Sequence, residues 1–169
     1  MKKKSGQMEL SFGMIFSIIL IIVFIMFAFY VIKILLQNQS RSEVLMFKED
    51  LQNDVDKVWK GSGSISNPNG YNLPKKIELI CFADFSSPAE GNNQELYKDL
   101  KKTYNEFENL VFYPVGSAQG LDSTEIKHID IDKITSLGNP FCVENSDGKI
   151  KLTIKRDYGE ELVFIEKQN

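Results

Sequence analysis

The chain is poor in the residues that most often carry chemistry. Its 169 residues include one histidine, one tryptophan and two cysteines, and the cysteines do not form a Cys-x-x-Cys motif. A redox motif is therefore unsupported, no nucleophile stands out beside the histidine, and no glycine-rich phosphate loop is visible. We expect a protein that is not an enzyme and has no cofactor. A membrane-tethered enzyme remains a third alternative, because active sites often escape sequence inspection.

Charge is missing from one long stretch of the chain. Residues Phe12 to Ile32 carry no charged side chain and are almost wholly apolar. About 21 residues at 1.5 Å each span roughly 31 Å, which matches the hydrocarbon core of a bilayer. The run is longer than the apolar core of a secretory signal, and no small-x-small cleavage site follows it. We predict a transmembrane helix over residues 12–36 that stays on the protein, with the lipid bilayer as its partner.

Basic residues are outnumbered in the remainder of the chain. From Asn38 onward there are 16 Lys and Arg against 22 Asp and Glu, a net charge of −6. An acidic domain argues against a nucleic-acid partner and against docking on anionic lipid headgroups. About 130 residues suffice for one compact domain but not for two. We therefore expect one anchor and one soluble domain.

The basic residues beside the apolar run give only a small orientation bias. Three lysines at positions 2–4 precede the run, whereas Lys33, Arg41 and Lys48 follow it. The lysines are contiguous in a short basic tail over residues 1–11, and Lys33 can reach the interface from within the helix. We predict a single-pass protein of the cell membrane with a cytoplasmic N-terminus and the C-terminal domain outside.

Periodicity divides the rest of the chain into a helix and an α+β domain. Apolar residues at three- and four-residue spacing predict an amphipathic helix over 37–60, continuous with the membrane helix because no helix breaker separates them. Residues 61–70 indicate a loop. The 61–169 domain is expected to contain a mostly antiparallel sheet of about five strands and one further helix. The strands are expected at 76–82, 110–113, 127–132, 141–143, 149–155 and 161–165, with an Asp-Gly turn joining 141–143 to 149–155. The helix is expected to cover Leu96, Leu100, Tyr104 and Phe107.

The N-terminal junction resembles that of type IV pilin-like proteins, particularly those of archaea. The matching features are the lysines, then Ser5-Gly6 followed by Gln7, then Glu9, then the apolar helix from Leu10. A long helix, half apolar and half amphipathic, that carries a sheet-rich domain is also similar to that family. The motif resemblance covers about residues 2 to 32.

This resemblance implies a processing step and an assembly role. A prepilin peptidase would cut between Gly6 and Gln7 and remove a leader over residues 1–6. Glu9 would pair with the N-terminal amine of a neighbouring pilin-like subunit in a pilus or at the cell surface. In many pilins this Glu is the fifth residue of the mature chain, whereas Glu9 would be the third. The alternative is an uncleaved single-pass protein whose extracytoplasmic domain binds a partner.

Two further groups of residues are candidate sites. Cys81 and Cys142 would form a disulfide in an oxidising exterior, or Cys81 is simply a core residue of its strand. His128, Asp130 and Asp132 share one face of the expected strand 127–132, which makes a metal site conceivable. Polar-out alternation of an ordinary strand produces the same pattern, and both interpretations stay open.

Overall fold

A computed structural model of the chain describes residues 12–61 and 63–168. The predicted basic tail, with Gly6, Gln7 and Glu9, lies outside these residues. The chain divides into two compact units, one ending at Gln39 and the other beginning at Ser40. We call the second unit the head. It includes the second half of the first helix, so the amphipathic segment is part of the folded domain rather than a separate element before residue 61.

A single helix of 49 residues, α1 (Phe12–Lys60), begins the described chain, as predicted. It ends where the Gly61 N–H bonds to the Lys57 carbonyl oxygen at 3.0 Å, and Lys57 and Lys60 in the last turn complement the negative end of the helix dipole. Five side chains of its second half are buried, and they recur at three- and four-residue spacing. They are Val44, Phe47, Leu51, Val55 and Val58.

Within the described residues, nine short strands follow, in three sheets whose strand pairs are all antiparallel. They are β1 (Gly63–Ser66), β2 (Tyr71–Asn72), β3 (Leu79–Phe82), β4 (Leu110–Tyr113), β5 (Ser123–Thr124), β6 (Phe141–Glu144), β7 (Lys149–Ile150), β8 (Leu152–Arg156) and β9 (Phe164–Lys167). The sheet orders are β1-β8-β9, β2-β7 and β5-β4-β3-β6. The predicted antiparallel architecture is confirmed, whereas the expected single sheet of about five strands is wrong.

The strand count differs because β1, β2 and β5 lie in segments where no strand was expected, and because one expected strand is divided in two. β1 lies inside the expected loop 61–70, and its Gly, Ser and Ile residues pair with β8 in a four-residue register. The expected strand 149–155 is two strands, because β7 pairs with β2 whereas β8 pairs with β1 and β9. Strand pairing supplied by distant residues therefore decides both cases.

In the part of the head that the structure describes, two helices follow α1, where one was expected. Helix α2 (Gln94–Lys101) comes after a 3-10 turn at Gly91–Asn93 and ends before Phe107, whose side chain is exposed. The second, α3 (Ile131–Thr135), occupies part of the expected strand 127–132. That strand is wrong because the Asp130 side chain accepts a hydrogen bond from the Lys133 N–H at 2.9 Å and caps the helix.

The head has one main core and one smaller cluster. In the main core, Phe47 of α1 meets Tyr71 and Phe112 edge-on, with ring centroids 5.8 and 5.7 Å apart. The smaller cluster packs Tyr97 and Leu100 of α2 against the β3–β4 pair. The second half of α1 is thus fixed by aromatic contacts to the largest sheet and to β2.

Candidate functional site

The first candidate site is the apolar part of α1 before Gln37. This helix is long and apolar enough to span a membrane, and it lies near the N-terminus. Its most apolar stretch has no buried residue. A segment of 25 residues, 12–36, measures about 37 Å, which is sufficient for a hydrocarbon core of roughly 30 Å with some tilt. The expected single-pass anchoring is compatible with this helix.

The polar groups of this segment are few. Ser17 donates a hydrogen bond from Oγ to the Gly13 carbonyl oxygen at 2.8 Å, so its hydroxyl is satisfied inside the helix. The charged residue of the segment is Lys33, three residues before its end. A lipid environment requires hydroxyl groups that are satisfied inside the helix and charges that lie near the ends of the apolar segment.

Cys81 and Cys142 are joined by a disulfide in the largest sheet. They lie directly opposite each other on the neighbouring strands β3 and β6, with their Cα atoms 4.1 Å apart. Cys81 also belongs to the smaller core cluster, which includes Tyr97 and Leu100 of α2. The two interpretations of Cys81 are therefore compatible: it is a core residue and a disulfide partner.

His128, Asp130 and Asp132 do not converge. His128 has a left-handed backbone with φ of +64° and faces α1, Asp130 caps α3, and Asp132 is an exposed residue of the first turn of that helix. The metal-site prediction assumed one strand face, and the turn at His128 removes that face. In the described ranges, no group of three or more His, Cys, Asp or Glu is placed to hold a metal ion.

His128 instead forms a stacked pair with the only tryptophan. The rings of Trp59 and His128 are parallel within 5°, with their centroids 3.7 Å apart. His128 Nδ1 lies 3.2 Å from Asp56 Oδ1, which also accepts a hydrogen bond from Gln52 Nε2 at 2.8 Å. Gln52 in turn bonds to the backbone of Lys127: the Lys127 N–H donates to Gln52 Oε1 at 2.8 Å. The last turns of α1 therefore hold the imidazole in one position.

The contact with Asp56 determines which ring nitrogen of His128 donates a hydrogen bond. Burial opposes ionisation of Asp56, but hydrogen bonds from Gln52 and His128 outweigh it and lower the pKa of this carboxyl. A carboxylate only accepts hydrogen bonds, so His128 Nδ1 is the donor of this contact. In the neutral imidazole, Nε2 is then the nitrogen that carries a free lone pair.

A shallow cavity of about 670 Å³ opens beside the ring pair. We call it the Trp59 cavity; it is lined by Trp59, Lys60, His128, Arg156, Glu160, Glu161 and Leu162. Arg156 donates a hydrogen bond to the Gly61 carbonyl oxygen, and Glu160 accepts one from Lys133 at 3.0 Å. The cavity combines an aromatic wall with charged groups of both signs.

Sequence reasoning did not find this cavity. Trp59 belongs to the apolar stripe of α1, and its pairing with His128 across 69 positions depends on the left-handed turn before α3. The only available sequence signal was that tryptophan and histidine each occur once in the chain. In the structure these two residues are in contact. Comparison of the chain with known protein families, curated proteins and solved structures found no match.

Proposed function

We propose that this chain is a membrane-anchored structural protein displayed at the cell surface, a type IV pilin-like subunit cleaved after Gly6. The observation that carries the proposal is the division of α1. Its first part has apolar side chains on all faces and exposes them, whereas its second part buries one stripe in the head. Such a helix suits a subunit that resides in the bilayer before assembly and packs against other helices afterwards.

The N-terminal junction supports the same proposal at the level of sequence. Gly6 precedes Gln7, the proposed first residue of the mature chain, and Glu9 lies at the edge of the apolar run. An unpaired carboxylate at the edge of an apolar environment is costly, and the N-terminal amine of a neighbouring subunit would offset that cost. The lipid bilayer, a prepilin peptidase and other pilin-like subunits are the partners in this proposal.

The disulfide supports an external head. Disulfides persist in oxidising compartments and are rare in the cytosol. Cys81 and Cys142 are paired in the head, which agrees with the orientation that the lysines at positions 2–4 favour. Protease added to intact cells should digest the head; protection of the head until lysis would contradict this orientation.

The N-terminus of the protein from native membranes tests cleavage. We expect an intact mass and N-terminal sequence that begin at Gln7. The variant Gly6→Val should retain residues 1–6, because a branched side chain replaces the residue before the cut. A wild-type chain that retains Met1 or Lys2 where the peptidase is present would overturn the pilin-like proposal.

Glu9→Ala tests assembly separately from insertion. We expect the variant to enter the membrane but to lose filaments or cross-linked oligomers. Glu49→Ala removes a carboxylate from an exposed position of α1 and is the matched control, which should assemble normally. If Glu9→Ala and Glu49→Ala assemble equally, Glu9 has no pairing role.

The second candidate is an uncleaved single-pass protein whose head binds a partner. The Trp59 cavity favours it, because mixed aromatic and charged linings are typical of ligand-binding surfaces. Cleavage at Gly6 distinguishes the two candidates, since this alternative requires the complete N-terminus.

A further inference from the structure

We propose that the Trp59 cavity binds a neutral pyranose sugar. The proposal concerns the head alone and is independent of cleavage at Gly6. It rests on three properties of the cavity: a rigid aromatic wall, charged groups of both signs that form no salt bridge, and a volume suited to a small ligand.

The aromatic wall is fixed in place before any ligand arrives. Trp59 and His128 stack in parallel, and Asp56 and Gln52 hold the imidazole through hydrogen bonds. Both rings line the cavity. A pyranose ring presents a flat face of C–H groups, which packs well on a planar aromatic surface, and a rigid wall loses little conformational entropy on binding.

The charged groups of the cavity suit hydroxyl groups better than ions. Among the described residues, Lys60, Arg156 and Glu161 line the same cavity, and none of the three forms a salt bridge. Glu160, by contrast, is already paired with Lys133. A simple anion would be repelled by Glu161, and a simple cation would be repelled by Lys60 and Arg156.

A sugar hydroxyl satisfies both groups at once. It accepts a hydrogen bond from a guanidinium and donates one to a carboxylate, and adjacent hydroxyls of a pyranose can do both simultaneously. The guanidinium of Arg156 is held by its bond to the Gly61 carbonyl oxygen. A guanidinium carries five N–H donors, and this bond uses one of them. The groups are therefore positioned and still have hydrogen-bonding capacity.

The size of the cavity agrees with this class of ligand. Its volume of about 670 Å³ lies within the range of roughly 300 to 1,000 Å³ that is typical of small-molecule sites. The cavity is open and lies on the head surface, so a sugar that is part of a longer glycan could enter without threading. Leu162, at the edge of the cavity, adds an apolar contact beside the aromatic wall.

The single tryptophan makes binding directly measurable. The full chain in detergent micelles is titrated with methyl glycosides of glucose, galactose and mannose up to about 100 mM, since small sites often bind in the millimolar range. Because Trp59 is the only tryptophan, its fluorescence reports on the cavity alone. We expect a saturable change with at least one glycoside. Sorbitol, which has hydroxyls but no ring face, is the control and should give no saturable change.

Two substitutions tie the signal to the proposed groups. Glu161→Gln changes an exposed side chain and should preserve the fold, and Arg156→Gln removes the guanidinium. Each should weaken the apparent affinity about tenfold or more, because a hydrogen bond to a charged group is lost. Glu144→Gln, at an exposed position of β6, should bind like the wild type.

Several outcomes would overturn the proposal. They are the absence of saturation with every pyranoside, an equal response to sorbitol, and saturation only with charged pyranosides such as a methyl glucuronide. Unchanged binding by Glu161→Gln would also overturn it, because this variant tests the hydrogen-bonding role without depending on Arg156.

Discussion

The two parts of α1 share one backbone conformation but have opposite relations to their surroundings. Before Gln37 the helix has apolar residues on every face, and nearly all of them are exposed. After Ser40 the buried apolar residues form a stripe, and Leu51 and Val55 in that stripe are completely buried. Helical conformation alone therefore does not indicate the surroundings of a helix, whereas the distribution of apolar side chains around its axis does.

The energetic contrast follows from that distribution. Burying a side chain such as Leu51 stabilises the head by roughly 1.5 to 3 kcal/mol relative to exposing it to water. The many exposed apolar side chains of the first part gain nothing comparable within the described chain. Lipid or neighbouring helices would supply that gain, and four experiments test the contrast, beginning with the one of largest expected effect.

Two aspartates in the middle of the apolar segment should abolish stable membrane association. Ile22→Asp combined with Ile25→Asp is expected to make insertion less favourable by about 5 to 7 kcal/mol, since each central aspartate costs about 2.5 to 3.5 kcal/mol. The measurement is the fraction that remains with membranes after alkaline carbonate washing. The matched control is Leu137→Asp with Tyr158→Asp, at two fully exposed head positions. Equal retention of both variants would remove the distinction between the two parts of α1.

Reduction of the disulfide should weaken the head and leave the anchor unaffected. A cross-link between residues 61 positions apart contributes about 4 kcal/mol in the chain-entropy model. Denaturant unfolding of the head, followed by the fluorescence of Trp59, should shift accordingly on reduction. Membrane retention should not change, because both cysteines lie in the head. Loss of membrane association on reduction would show that the two regions are not independent.

Equivalent leucine truncations in the two parts of α1 should have unequal effects. Leu51→Ala leaves a cavity in the main core and should lower the free energy of unfolding of the head by about 3 kcal/mol. Leu35→Ala removes the same atoms from an exposed position of the apolar segment and should change it by less than about 0.5 kcal/mol. Similar losses from both variants would mean that Leu35 also packs against the head.

Acid should destabilise the head slightly. Burial opposes ionisation of Asp84, but hydrogen bonds from Ser86 and Ser87 outweigh it and lower its pKa, as those from Gln52 and His128 do for Asp56. A depressed carboxyl pKa stabilises the folded state above the unfolded value of about 3.9, and this contribution disappears as the pH falls through the folded value. We expect less than about 1 kcal/mol for each group, since both are partly solvated.

Chemical unfolding of the head between pH 6 and pH 3 measures this effect. Asp84→Asn should reduce the loss of stability on acidification, whereas Asp147→Asn, at a well-exposed turn position, should leave it unchanged. An identical acid dependence for both variants would contradict the role of Asp84.

The sequence was informative where the pattern of a segment matched its final environment. The 49-residue helix was predicted correctly because no helix breaker interrupts it, and the strand at 110–113 because its apolar run is short and buried. The sequence was uninformative where distant residues decide the outcome. β1 is held by its register with β8, and α3 forms because Asp130 caps it in a segment whose alternation suggested a strand.

The candidate site follows the same division. The apolar segment of α1 could be predicted from length and the absence of charge alone. The Trp59 cavity could not, because His128 reaches Trp59 only through a left-handed turn, and a single histidine gives no spacing pattern. The separation of His128 from Asp130 and Asp132 has the same origin. Alternating residues share a face only while the backbone remains extended.

The disulfide also limits how far the head can be drawn out under tension. A chain held at α1 and pulled at its C-terminal end would extend by about 3.3 to 3.6 Å for each residue released. The 61-residue span closed by Cys81 and Cys142 cannot contribute, which shortens the maximum contour length by roughly 200 Å. α2, β4 and α3 lie within this span and are shielded from a load applied at the two ends of the head. Under such a load the head would therefore reach its maximum length sooner than a head without the disulfide, and the S–S bond would carry the force.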